Sequence, residues 1–184
     1  GIAVVLFAIK IAAYFLTRSV SILTDALESI ANVSAGFIGL YSLYVAALPR
    51  DRNHPYGHGK AEFLSAGVEG SLIIIAGIII IYQSVHSFIY PHPIKKLDYG
   101  MILVGVTAVI NYGMGYISIR RGKKNNSLAL IACGRHLQSD TWSTLGIIAG
   151  LILIYFTGEL WLDGAIALVF AAIIIVTGYR ILRK

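Results

Sequence analysis

Apolar residues run through this chain in long blocks separated by short polar stretches. Blocks such as residues 71–82 and 145–156 extend to about 20 residues or more with few charges, the length needed to cross a hydrocarbon core. Six apolar segments can be marked, at residues 2–16, 20–47, 61–89, 99–119, 128–156 and 162–182. Backbone N–H and C=O groups in lipid must pair within their own segment, so each is predicted to be a helix. The expected fold class is an all-α membrane protein, a bundle of six transmembrane helices.

The links between the segments carry the next layer of information. Arg18 and Ser19 make a very short turn between the first two spans. Residues 48–60 are polar and hold Pro49 and Pro55, residues 90–98 hold Pro91 and Pro93, residues 120–126 are a basic run, and residues 157–161 are short. Arg50, Arg52, Lys60, Arg120, Arg121, Lys123, Lys124, Arg180, Arg183 and Lys184 all fall on one side of a six-span topology, and only Arg18, Lys95 and Lys96 on the other. Positive residues concentrate on the cytoplasmic side of membranes, so both termini are expected to be cytoplasmic.

Composition agrees. Of 184 residues, 57% are hydrophobic and 13% charged, against about a quarter charged in ordinary soluble domains. The net charge of +6 would suggest a nucleic-acid partner in a soluble protein, but basic residues at membrane edges account for it and no nucleic-acid partner is expected. The single cysteine, Cys133, excludes an internal disulfide. Residues 1–16 lack a charged leader region and a cleavage site, and the chain starts inside an apolar segment, so a chain truncated in span one is expected.

Charge inside a span is costly and needs a partner or a task. Span two carries Asp25, Glu28 and Asn32; span five carries Arg135, His136, Gln138, Ser139 and Asp140; Lys10 lies in span one and Glu69 in span three. Glu28 and Asn32 are four residues apart and share a helix face, as do His136 and Asp140. Two helices that each offer two ligands in this way can build one four-ligand site. Carboxylate, amide oxygen and imidazole suit a borderline divalent metal such as zinc, manganese, iron, cobalt or nickel. For Lys10, Arg135 and Glu69 the expectation is pairing with opposite charges. Asp25 could cap its span, pair with Lys10 or serve as an accessory proton site. The segment from Asp51 to Glu62 packs two histidines, an aspartate and two glycines into one link. It reads equally as a ligand loop or as a solvated turn.

Three pieces of the chain resemble the cation diffusion facilitator family. They are Ser19-Val-Ser-Ile-Leu-Thr-Asp-Ala-Leu-Glu-Ser29 running on to Asn32, the loop His54-Pro-Tyr-Gly-His-Gly-Lys-Ala-Glu62, and His136-Leu-Gln-Ser-Asp140. The resemblance covers all six spans. It implies that Glu28, Asn32, His136 and Asp140 are the transport site and that Asp51 and His58 are positions of a second, cytoplasm-facing metal site, with His54 a weaker candidate between them. Zinc-transporting members usually show His or Asp, then Asp, on span two. Here those positions are Glu28 and Asn32, which leaves two carboxylates where several members have three.

The resemblance further implies a homodimer in the plasma (inner) membrane that exchanges a divalent cation for protons by alternating access. Zinc is the leading substrate, with manganese, iron and cobalt the others. His136 is the expected proton carrier, because imidazole titrates near neutral pH. It also implies that residues 1–184 are a transmembrane domain, without the cytoplasmic domain that family members usually carry after span six. Gly36 and Gly39 on span two, and Gly146 and Gly150 on span five, are expected to allow close helix contact. The rival readings are a metal-selective channel or uniporter and an intramembrane metalloenzyme. The second lacks a His-Glu-x-x-His helix, and no enzyme is expected.

Overall fold

The computed structural model describes residues 2–46, 60–90, 93–126 and 128–183. They form six α-helices: α1 (Ile2–Thr17), α2 (Val20–Ala46), α3 (Lys60–Ile89), α4 (Leu97–Lys124), α5 (Leu128–Thr157) and α6 (Trp161–Leu182). The all-α expectation is met, and no strand occurs among the described residues. The segments Leu64–Ile89, Leu97–Lys124, Cys133–Thr157 and Trp161–Leu182 are each long and apolar enough to cross a membrane. α1 is short at 16 residues, and the first half of α2 is polar. The chain is a multi-pass integral membrane protein.

One boundary departs from the sequence expectation. α4 continues past residue 119 through Arg120, Arg121, Lys123 and Lys124, which the hydropathy pattern assigns to a link. Arginine and lysine are good helix formers, and cations in a last turn complement the helix dipole. The helix stops where Asn125 N–H bonds back to the Arg121 carbonyl at 3.0 Å and Asn126 takes a left-handed φ of 50°.

Packing divides the bundle into two apolar cores that share α2. One joins Val20 and Ala31 of α2 to Ile73 and Ile80 of α3 and Ala167, Ala171 and Ile174 of α6. The other joins Ile22 of α2 to Ala13 of α1, Val104 of α4 and Ile147, Leu151 and Ile154 of α5. Glycines set the closest approaches. A Cβ on Gly134 would lie 2.6 Å from the Gly115 carbonyl oxygen, and one on Gly178 would lie 3.0 Å from that of Gly70. α4 and α5, and likewise α3 and α6, therefore run in near backbone contact. The expectation for span two is corrected: beside Gly36 and Gly39 there is open space. They fall in the second half of α2, where it has left both cores. Gly146 and Gly150 do sit against α6, on Phe170 and Ile166.

Contacts between links define the two ends of the bundle. Lys95 N–H donates to the Thr17 carbonyl at 3.0 Å, so the α3–α4 link meets the α1–α2 turn. The start of α6 joins them through Asp163. Its carboxylate accepts from Ser19 Oγ at 2.7 Å, Val20 N–H at 2.6 Å and Ser21 N–H at 3.1 Å. The opposite end holds the α4–α5 link, where Gly122 packs on Ile131, and the end of α6, where Leu182 covers Gly70.

Candidate metal site in the membrane

The site begins with the polar first half of α2. Ser19 caps this helix, its Oγ accepting the Ile22 N–H at 3.3 Å, and Asp163 takes the two N–H groups beside it. Free N–H groups at a helix start need such acceptors. Fixing the start of α2 fixes the rotation of its next turns, which carry Asp25, Glu28 and Asn32.

Asp25 is buried with Lys10. Lys10 Nζ lies 2.9 Å from Asp25 Oδ1, with both side chains 2% exposed. Nζ also donates to Ser29 Oγ at 2.8 Å, and Thr144 Oγ1 donates to the same Asp25 oxygen at 2.9 Å. A charge this deep in a low-dielectric core survives only when paired and hydrogen-bonded. The network ties α1, α2 and α5 together one turn from Glu28. Of the three roles open to Asp25 in the sequence, the structure places it in the pair with Lys10. Its second oxygen, Oδ2, is buried without a hydrogen-bond partner among the described residues.

The two i, i+4 pairs meet across α2 and α5. Asn32 Nδ2 donates to Asp140 Oδ2 at 3.3 Å, and His136 Nε2 lies 3.8 Å from that same oxygen. Asp140 is largely enclosed, its side chain 16% exposed, while His136 is 58% exposed. Glu28, Asn32 and His136 line one cavity of about 240 Å³, room enough for a divalent ion with several waters. Glu69 of α3 and Thr177 of α6 line it too. As placed, no three His, Cys, Asp or Glu side chains among the described residues lie close enough together to hold a metal ion. The structure thus brings Glu28, Asn32 and His136 to one cavity, with Asp140 held beside it by Asn32 and His136, without closing the four into a coordination sphere.

Other sequence expectations resolve unevenly. Lys10 is paired, as expected. Arg135 and Glu69, expected to pair, have no ion-pair partner among the described residues. Arg135 is exposed on the surface of α5, where no carboxylate of the described residues reaches it, and Glu69 lines a cavity with no lysine or arginine among its described lining residues. Cys133 is a free, exposed thiol. Asp51, His54 and His58 lie outside the described residues. Sequence reasoning missed Asp163 and Thr144. An acid in the first turn of α6 was the only signal for Asp163, and its partners are more than a hundred residues away.

Six helices, four of them long and apolar enough to cross a membrane, around a set of carboxylate, amide and imidazole groups define a polytopic membrane protein with a polar cavity among its helices. Comparison with known proteins gives the family. Residues 1–184 match the model of the cation efflux transmembrane domain, and the chain belongs to this family, the cation diffusion facilitators. It is 38% identical over 184 residues to an uncharacterized transporter of Synechocystis, covering 100% of this chain and 59% of the relative. It is 27% identical to the cation-efflux pump FieF of Shewanella oneidensis, covering 94% and 58%. It is 26% identical to the cadmium, cobalt and zinc/H(+)-K(+) antiporter of Bacillus subtilis, covering 92% and 54%. The chain spans less than three-fifths of the length of these relatives.

Proposed function

We propose that this protein exports a divalent transition-metal cation in exchange for protons, with Glu28, Asn32, His136 and Asp140 as the transport site. The observation that carries the reading is the Asn32–Asp140 hydrogen bond across α2 and α5. It joins two ligand pairs, far apart in the chain, at one intramembrane cavity. The relatives named as a cation-efflux pump and as a cadmium, cobalt and zinc antiporter support transport rather than catalysis as the task.

The chemistry follows from the donors. Asp140 Oδ2 and His136 Nε2 are adjacent, so an ion that took both would displace the Asn32 N–H from Asp140. Asn32 would then turn its amide oxygen to the metal, and Glu28, one turn away on the same face, would complete the set. Imidazole and carboxylates must shed protons to bind metal. Protons arriving from the far side therefore compete for the same donors and release the ion. Zinc is the leading substrate because a mixed nitrogen and oxygen set of four suits it; manganese, iron and cobalt accept the same donors.

Access would alternate by movement between packed units around the site, as in other carriers with midplane sites. The glycine contacts mark those units as α4 with α5 and α3 with α6. α2 and α5, which carry the ligands, meet over a shorter stretch and are free to shift. The working form is a homodimer in the inner membrane, with Asp51 and His58 forming a second, cytoplasm-facing metal site.

Transport by reconstituted proteoliposomes, with metal and lumenal pH recorded together, tests the reading. Asp140→Ala should abolish metal uptake in a normally inserted protein, and in the wild type each uptake should carry a metal-dependent pH change. Undiminished uptake by the variant would sink the site assignment; a flat pH trace would leave a uniporter.

A further inference from the structure

The cavity holds a third carboxylate that the two-helix ligand scheme does not use. Glu69 stands in the first third of the apolar segment Leu64–Ile89 of α3 and lines the cavity with Glu28, Asn32 and His136. It is half-buried. Neither a cation nor a hydrogen-bond donor reaches it among the described residues. A carboxylate at membrane depth is costly, and such residues face an interior cavity or an ion path. Lys10, the one cation buried in the bundle among the described residues, is already held by Asp25 and Ser29.

Position along the helices gives Glu69 a place in sequence with the other donors. At 1.5 Å per residue it lies about 13 Å along α3 from Lys60, and His136 about 12 Å along α5 from Leu128. Asn32 and Glu28 lie about 21 and 27 Å from Ala46 along α2. Those three helix ends belong to the same end of the bundle. Toward that end the cavity is lined by Thr177 and Ile181 of the last turns of α6. Glu69 and His136 are therefore the outermost donors on that side, and Glu28 the innermost.

Charge counting supplies the second half. Asn32 is neutral, so the α2–α5 set offers two negative charges to a divalent ion. Glu69 makes the count three, from a third helix. We propose that Glu69 is a metal ligand of the transport cavity that captures the incoming divalent cation and supplies the negative charge that Asn32 does not. The proposal rests on the transport reading above, and it makes α3 part of the selectivity machinery.

The test is zinc and manganese transport by proteoliposomes carrying the wild type, Glu69→Gln, Glu69→Asp, Asn32→Asp/Glu69→Gln and Asp140→Ala. Glu69→Gln should raise the KM for zinc by at least about tenfold, the scale seen when groups around a metal site are removed, and change the zinc-to-manganese preference. Glu69→Asp should recover part of the loss, and Asn32→Asp should relieve it by restoring the third charge. An inserted Glu69→Gln protein with wild-type KM and preference overturns the proposal. A loss that neither Glu69→Asp nor Asn32→Asp relieves also overturns it, since it would mark a structural role. If Glu69→Gln does not insert, Glu69→Asp decides: altered KM or preference supports the proposal, and wild-type values reject it. Asp140→Ala separates the two readings. If it is inactive while Glu69→Gln is normal, the site stands and Glu69 is not part of it; if it transports normally, the site itself is wrong.

Discussion

Lys10 and Asp25 show at the scale of single residues how this protein keeps charge inside the bilayer. The ammonium has two partners and the carboxylate oxygen has two donors, all buried except the half-buried Ser29. Removing one member of such a pair leaves the other charged and unsolvated, at about 3–5 kcal/mol. Replacing both with apolar groups removes the desolvation cost along with the attraction. Lys10→Met should therefore lower the thermal stability in detergent by about that amount, and Lys10→Met/Asp25→Leu should recover most of it. Equal losses in the single and double variants would show that the pair is not coupled. The residues that matter here were readable from their depth alone, because a charge in an apolar run is conspicuous. Which of them pair was not readable. Lys10 found a partner through a contact between α1 and α2, whereas Glu69 and Arg135 found none among the described residues, and only helix rotation decides that.

Among the elements, α2 is the most dependent on others. It belongs to both apolar cores and carries half of the proposed ligand set, and its start is held by a carboxylate from α6. Asp163 takes the place of a local cap for two N–H groups and the Ser19 hydroxyl, while Ser21 Oγ donates to the Asp163 carbonyl at 3.0 Å. Hydrogen bonds to a charged acceptor contribute about 1.5–3 kcal/mol each. Asp163→Ala should thus cost on the order of 3 kcal/mol and speed amide exchange at Val20 and Ser21, while exchange in α4 stays as in the wild type. Unchanged exchange at those two amides would remove Asp163 from its role as a clamp. The helices themselves were legible in the sequence, since apolar runs in lipid have no alternative to helix. The end of α4 was not, because hydropathy stops at the lipid edge and helix propensity does not. Nor was the α6 clamp on α2, which joins residues 142 to 144 positions apart. Gly36 and Gly39 mislead for a related reason: small residues permit close packing, but a neighbouring helix has to be there.

For the whole molecule, the contacts between links turn a charge count into a three-dimensional asymmetry. The α1–α2, α3–α4 and α5–α6 links share one end, joined by Lys95 to Thr17 and by Asp163 to Ser19, Val20 and Ser21. Arg18, Lys95 and Lys96 belong to that end. Arg120, Arg121, Lys123 and Lys124 belong to the other, with Arg180 and Arg183 of α6. Positive residues favour the cytoplasmic side, which would put the Glu69 and His136 side of the cavity toward the cytoplasm. An exporter must load from that side, so sidedness and function make one joint prediction. Lys95 and Lys124 are both exposed and report on opposite ends. In a Cys133→Ser background, Lys95→Cys should react with an impermeant maleimide on intact cells, and Lys124→Cys only after permeabilisation. The reverse pattern would open the cavity outward in this conformation. The Glu69 side would then be where the ion leaves, and the order of donors proposed here would run backwards.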